Sequence, residues 1–507
     1  MSYDDFIINK KQTVIYTVKS ADLITPVSAF LQLSAIAGED PKNIFLLESV
    51  QGGVSRARYS IIGLLPDVIW KCKQGKVSIN TDPLNHPDQF IAQDIHPIQS
   101  LQRFIADSQL NIPEDIPPMV GGIFGYLGYD MVRQMEHLPN PPKNDLNLPE
   151  GIMIRPSIFA IFDTVLDELT LAAPLRGKTA EEQERAKKLL EKAQAALNEP
   201  LPSDKKIDKA SIKHSETPIS TFTKDEFKQA IDKIKEYIFE GDAFQVVPSQ
   251  RFSIPFTLPP IALYRSLRKI NPAPFLFCLQ LENFALVGSS PEILVRLRDG
   301  TVTVRPLAGT RPRGKTPEED LQLEQDLLAD QKELAEHLML IDLGRNDVGR
   351  VSEIGSVKVT EQFVIERFSH VMHISSNVEG KLKENLTALD ALIAGFPAGT
   401  LTGAPKIRAM EILDEIEHTQ RATYAGCIGY FGADGSMDTC IGLRTALIKD
   451  DTMYVQAGCG VVADSDPEAE YEETRHKARA LFRAAEDAHL FVPNIDPKAN
   501  KSNIVTE

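Results

Sequence analysis

The segment "AEYEETRHKARA", beginning at Ala469, sets Glu470 and Glu473 three residues apart with Lys477 four further on. On a helix all three project from one face. Upstream, "QKELAEHLMLIDLGRND" repeats the spacing with Glu333 and Glu336. Two helices that each offer carboxylates one turn apart could meet across a cleft and hold a hard divalent cation through oxygen. Mg2+ is the natural candidate, because it takes one or two carboxylates and leaves room for water and substrate oxygens. A solvated helix face, acidic near its N-terminus and basic later, accounts for the same pattern. Periodicity alone does not choose between them.

Other stretches carry chemistry of narrower kinds. "FSHVMHISSNVEG" holds His370 and His373, but the run is β-like and residues three apart on a strand face opposite sides, so the pair does not share a zinc ion. A single histidine there can still act as acid or base. "FPAGTLTGAPKIRAMEIL" is a Gly-rich loop opening a helix at Pro405, able to offer N–H groups to an anion or to serve as a tight turn. It is not a Walker A loop, since Gly403 is followed by Ala-Pro before Lys406 and the Ser/Thr is missing. In "QAGCGVV", Gly458 and Gly460 flank Cys459 and either admit a ligand to the main chain or mark a strand bend. "AGCIG" around Cys427 is only superficially similar to a glutamine amidotransferase elbow. Ala425 replaces its first glycine, and the H-x-E triplet from His214 to Glu216 lies upstream, the wrong order. No glutaminase is expected in this chain, so glutamine-derived ammonia would have to come from another.

The chain that must position these residues has 507 of them, 42% hydrophobic and 25% charged, enough for two or three globular domains or one large one. Its net charge of −16 argues against nucleic acid and anionic membrane as partners, so an anionic substrate must be held by local cations. The N-terminus lacks the basic and apolar regions of a secretory signal, and no uncharged apolar run reaches the length of a membrane span; a cytoplasmic protein is expected. The five cysteines show no C-x-x-C spacing and read as reduced core residues.

Up to about residue 175, runs such as "NIFLLESV", "RYSIIGLL" and "SIFAIFDTVLDELTLAA" predict a mostly antiparallel sheet. "KTAEEQERAKKLLEKAQAALN" predicts a charged helix followed by a linker, and Thr223 before Glu226 predicts a capping box opening a helix that Gly241 stops. "AGCIGYFG" and "TCIGLRTALI", joined through Asp434 and Gly435, predict a hairpin. The expected fold is α+β, packed antiparallel sheets flanked by helices. Its expected parts are an N-terminal region (1–177), a helix and linker (178–219), a catalytic domain (220–490) and a frayed tail (491–507).

Six ordered segments, "RPLAGTRPRG", "DQKELAEHLMLIDLGRNDVGRV", "IERFSHVMHISSNVEG", "FPAGTLTGAPKIRAMEIL", "YAGCIGYF" and "QAGCGVVADSDPEAEYEETRHKARA", closely resemble the chorismate-utilising enzymes, and within them the anthranilate synthase large subunits. The resemblance implies that Glu336 and Glu473 bind Mg2+ with Glu333 and Glu470 in support. It implies that Lys477, Arg444, Tyr424 and the main chain at Gly458 and Gly460 hold the enolpyruvyl carboxylate, and that Gly309, Thr310 and Thr400 line the ring pocket. Glu292 in "SSPEILV" would protonate the departing hydroxyl, and His373 would assist the later elimination. Family members that add water to chorismate carry a lysine base where this chain has Gln245. Aminodeoxychorismate synthases with a nucleophilic lysine carry it where this chain has Ala308. The implied reaction is attack of ammonia on the ring, loss of the 4-hydroxyl and elimination of pyruvate, with a glutamine amidotransferase subunit as ammonia source.

The resemblance also implies feedback by tryptophan in a pocket built from "LLES" and the "NPAPFLF" stretch, namely Glu48, Ser49, Pro274, Phe275 and Leu276, although Ala273, Phe275 and Leu276 depart from the usual pattern. Two rival readings remain at this point: a synthase that stops at the aminated ring, and a non-catalytic regulator on the same fold.

Overall fold

The computed structural model describes residues 6–8, 13–38, 40–51, 55–56, 58–177, 179–205, 207, 217–368 and 370–494. Tyr59–Lys73, "YSIIGLLPDVIWKCK", is rich in β-branched and aromatic residues and long enough to serve several partners. It pairs with Ile44–Glu48, with Lys76–Asn80 and with Gly151–Asp163. Pro66 and Pro156 face each other where that last ladder is broken by a register shift, a place where missing N–H donors cost nothing.

From Gly151–Asp163 the sheet branches. One limb runs through Tyr59–Lys73 and Ile44–Glu48 to Phe275–Gln280, Ala285–Ser290, Thr445–Lys449, Thr452–Gly458 and Ser249–Pro255. Another runs through Ile123–Leu127 to Cys427–Phe431, Met437–Ile441, Ile293–Arg298, Thr301–Val304 and Val371–Lys381. Among the described residues 22 strands form one hydrogen-bonded network whose pairings are antiparallel, and two short two-stranded sheets stand apart from it. The mixed α+β architecture is the expected one. Residues 1–177 and 220–490 share both this network and its cores: Leu46, Ile158, Tyr264, Val455 and Leu481 pack in one cluster, and Trp70, Phe104, Leu294, Val378 and Met410 in another.

The helices start where side chains can replace missing backbone partners. Thr223 and Glu226 form the reciprocal capping box of Lys224–Phe239. Asp330 accepts from the N–H groups of Lys332 and Glu333 to open Gln331–Val351, and Asp466 accepts from Ala469 to open Pro467–Asp487. Gly241, at φ +88°, follows the first of these helices as expected. The charged helix forms as Ala180–Ala196. Residues 206 and 208–216 of the expected linker, including His214 and Glu216, and 495–507 of the expected tail lie outside the described residues.

The hairpin forms, with Cys427–Phe431 against Met437–Ile441, but the expected second strand is interrupted. It ends at Ile441 and resumes at Thr445 because Gly442 passes so close to the Thr423 carbonyl that a Cβ would stand 2.4 Å from it. Arg444 in this break adopts φ 50°. All five cysteines are buried and free, and among the described residues no helix is long and apolar enough to cross a membrane.

Candidate active site

The two acidic helix faces address one another electrostatically. Burial raises the Glu336 carboxyl above its ordinary pKa, and the nearby Glu473 charge adds to this. Burial likewise raises Glu333, with Glu336 adding, and Glu470, with Glu473 adding. The expected carboxylates therefore share one field. Glu336 Oε1 accepts from Gln245 Nε2 at 2.9 Å, Glu473 Oε1 lies 2.6 Å from Lys477 Nζ, and Glu333 Oε1 lies 3.4 Å from Arg311 Nη1. Two glycines let the main chain pass beside them: a Cβ on Gly460 would stand 2.7 Å from Gln245 Nε2 and 3.5 Å from Glu336 Oε1, and one on Gly309 would stand 3.2 Å from Glu333 Oε2. Among the described residues no three His, Cys, Asp or Glu side chains are drawn together as a formed metal centre, and Glu336 and Glu473 face nitrogen donors.

Glu292 sits between the strands Ala285–Ser290 and Ile293–Arg298, only 7% exposed. Burial pushes its carboxyl up to about 8, against weaker opposing contributions from the Thr400 hydroxyl, the Leu307 backbone N–H and the Lys477 charge. Thr400 Oγ1 donates to Glu292 Oε1 at 3.1 Å. At neutral pH Glu292 is a protonated acid.

His373 lies on Val371–Lys381 opposite Leu307–Pro312, whose ladder bulges at Gly309. The bulge, with Gly309 at φ +65°, turns its carbonyl toward the ring, and His373 Nδ1 lies 2.9 Å from that oxygen and 3.1 Å from Thr310 Oγ1. A carbonyl only accepts, so the hydrogen-bond network assigns the proton to Nδ1 and puts the basic lone pair on Nε2, which meets no hydrogen-bond partner among the described residues. Burial lowers the imidazole to about 4, the Gly309 bond opposing it, and the edge of Phe368 covers the ring with centroids 5.5 Å apart. His373 is a neutral base at pH 7. His370 instead faces the Ile270 carbonyl at 3.0 Å, so the two histidines do not share a ligand.

Arg444, placed by the strand break, makes no ion pair among the described residues; burial lowers its pKa, with Tyr424 and Glu473 opposing. Lys477 Nζ donates to Gly458 O at 3.0 Å, and a Cβ on Gly458 would stand 2.9 Å from Tyr424 Oη. These contacts draw Tyr424, Gly458 and Lys477 together, with Arg444 in the same field. Three contacts escaped sequence reasoning: Thr400 on Glu292 rather than in a ring pocket alone, Gln245 on Glu336, and Arg311 on Glu333. Each joins residues far apart in the chain, so no local spacing announces it.

A cavity of about 990 Å3 lies beside these residues, with Pro291, Leu307 and Phe368 in its lining. Pairing of Phe275–Gln280 with Ile44–Glu48 brings Leu276 opposite Glu48, and Glu48, Ser49, Pro274, Phe275 and Leu276 all line it. Glu48 itself is buried, bound by Arg268 at 2.6 and 2.9 Å and by Tyr264 Oη at 2.5 Å.

The sequence model of the chorismate binding enzyme family matches residues 65–483. The chain belongs to that family. It is 53% identical over 486 residues to anthranilate synthase component 1 of Cereibacter sphaeroides, covering 94% of this chain and 95% of that one. The component 1 of Pseudomonas aeruginosa is 48% identical over 473 residues, covering 92% and 93%. Among solved structures, anthranilate synthase component I from Streptococcus pneumoniae TIGR4 superposes with a TM-score of 0.74 at 36% identity, over 84% of this chain and 92% of that one. The menaquinone-specific isochorismate synthase of Escherichia coli, at 20% identity and TM-score 0.69, shares the fold, over 93% and 94% of the two chains. As a chorismate-binding family member the chain is an enzyme of that architecture.

Proposed function

We propose that this enzyme converts chorismate and ammonia to anthranilate and pyruvate in tryptophan biosynthesis. The observation that carries the reading is a buried Glu292 whose carboxyl is pushed up to about 8, together with a His373 lowered to about 4 whose Nδ1 is turned to the Gly309 carbonyl, both in the field of Lys477. Addition of ammonia with loss of water needs an acid, and the later loss of pyruvate needs a base. Ammonia forms a bond to ring carbon 2 and the ring π-electrons shift. The bond from carbon 4 to its hydroxyl oxygen breaks as Glu292 protonates that oxygen, and water departs. His373 Nε2 then takes the proton from carbon 2, the bond from ring carbon 3 to the ether oxygen breaks, the ring becomes aromatic, and the departing enolpyruvate takes up a proton at its methylene carbon to become pyruvate.

Arg444, Tyr424 and Lys477 hold the enolpyruvyl carboxylate. Gln245, a neutral amide bonded to Glu336, supplies no base to activate water, which favours ammonia as nucleophile. Glu336 and Glu473, supported by Glu333 and Glu470, are an all-oxygen donor set whose mutual repulsion suits a hard cation. Bound there, Mg2+ would neutralise the ring carboxylate of chorismate. A separate glutamine amidotransferase subunit supplies ammonia, and tryptophan in the 990 Å3 cavity inhibits. The test is mass spectrometry of the products from the purified chain with chorismate, Mg2+ and ammonium. Anthranilate and pyruvate in equal amounts are expected, and an aminated ring without pyruvate would overturn the reading in favour of a truncated synthase.

A further inference from the structure

Arg421 takes no part in the chemistry above, yet it is joined to three segments that build the site. Its side chain is 2% exposed, and that of its ion-pair partner Glu417 is 5% exposed. Glu417 follows the helix Lys406–Ile416 and receives Arg421 Nε at 2.9 Å and Nη2 at 2.6 Å. The remaining donor directions reach main-chain carbonyls: Nη1 to Leu401 at 2.6 Å and Nη2 to Val247 at 2.7 Å.

Leu401 follows Thr400, the donor to Glu292. Val247 lies two residues beyond Gln245, the donor to Glu336, and its N–H donates to Thr402 at 2.9 Å. The Arg421 carbonyl accepts from the Tyr424 N–H at 3.0 Å, and the guanidinium lies over the Tyr424 ring at 5.5 Å and the Tyr129 ring at 4.9 Å. Glu417 Oε1 also accepts from the Ser249 N–H and hydroxyl at 2.9 and 2.8 Å. A planar guanidinium can satisfy a carboxylate and two carbonyls at fixed angles, whereas an ammonium holds its three donors on a flexible stem.

Resting on the proposed reaction, we infer that Arg421 is a positioning residue: by gripping Leu401 and Val247 it fixes the turn that holds Thr400 against Glu292. Its buried ion pair with Glu417 keeps the guanidinium in register. Groups that act through one another show non-additive effects when both are altered, and this separates positioning from general support of the fold.

The experiment measures steady-state anthranilate formation from chorismate and ammonium by the full chain and its Arg421→Lys, Thr400→Val and doubly substituted forms, with thermal melting of each. Wild-type turnover is the control, since its absence would refute the proposed reaction and not the positioning role. The expected result is a loss of about tenfold or more in kcat for Arg421→Lys with KM within about threefold, shrinking to less than about threefold in the Thr400→Val background. A Glu417→Met/Arg421→Met variant, which removes both buried charges together, is expected to fold while keeping the kcat defect. Folded variants with near-normal kcat, or effects that multiply independently, would overturn the assignment. So would failure of both Arg421 variants to fold, which would make the residue a folding element alone.

Discussion

Thr400 Oγ1 donates to Glu292 Oε1 at 3.1 Å, joining the Gly-rich turn before the helix Lys406–Ile416 to the buried carboxyl placed between two central strands. The bond holds one oxygen of a carboxyl that burial has already pushed up to about 8 and that the Leu307 N–H also addresses.

Glu292→Gln removes that proton and should lower kcat by about 100-fold or more, within the range usual for a general acid. In the wild type, kcat corrected for the fraction of free ammonia should fall as pH rises through about 8. A wild-type rate still rising above pH 9 after that correction would refute the role.

The same substitution should stabilise the fold at alkaline pH. Because folding raises the Glu292 pKa from 4.5 to about 8, its contribution is complete below 4.5 and is lost as pH rises toward 8. The loss approaches ~5 kcal/mol for such a shift before any relaxation. Glu292→Gln should therefore melt above the wild type at pH 8 and show no such advantage at pH 4, as calorimetric scans would reveal.

His373→Ala leaves the first half of the reaction its acid but removes the base at Nε2. The expected outcome is release of an aminated ring that still carries its enolpyruvyl group, detectable by mass spectrometry, with little pyruvate. Since the imidazole titrates at about 4, wild-type activity should show no His373-dependent fall on acidification until well below pH 6. Its contribution to stability has the opposite sign to that of Glu292: complete above 6.5, it is lost as pH falls toward 4.

Tryptophan should bind in the cavity between Glu48, Ser49 and Pro274 and weaken chorismate binding by about 5- to 150-fold, the usual span of allosteric coupling. Calorimetry gives the direct answer, and Ser49→Phe, which puts a bulky ring into the cavity lining, should abolish the heat. No heat with the wild type would exclude the site.

Much of this organisation is legible in the chain because it is local. The E-x-x-E pairs needed only helical periodicity, and the capping box at Thr223 and the turn at Gly435 follow from short-range bonding. The bulge at Gly309 and the strand break before Arg444 are not legible. Each lies beside another segment: Gly309 by the Leu327 and Glu333 side chains, Gly442 by the Thr423 carbonyl. These two irregularities aim a carbonyl at His373 and place Arg444, so the parts of the site least visible in sequence are those made by tertiary packing. The field joining Glu336 to Glu473 is equally hidden, since periodicity gives each helix its acidic face but says nothing of their meeting.

The most direct test of the central claim follows anthranilate fluorescence from the purified chain supplied with chorismate, Mg2+ and ammonium, with and without EDTA and beside Glu473→Gln. The account predicts anthranilate with pyruvate from the wild type, abolished by the chelator and reduced by about 100-fold or more in the variant, several kcal/mol of lost charge stabilisation. Chorismate left untouched by a folded wild-type chain under these conditions would contradict it.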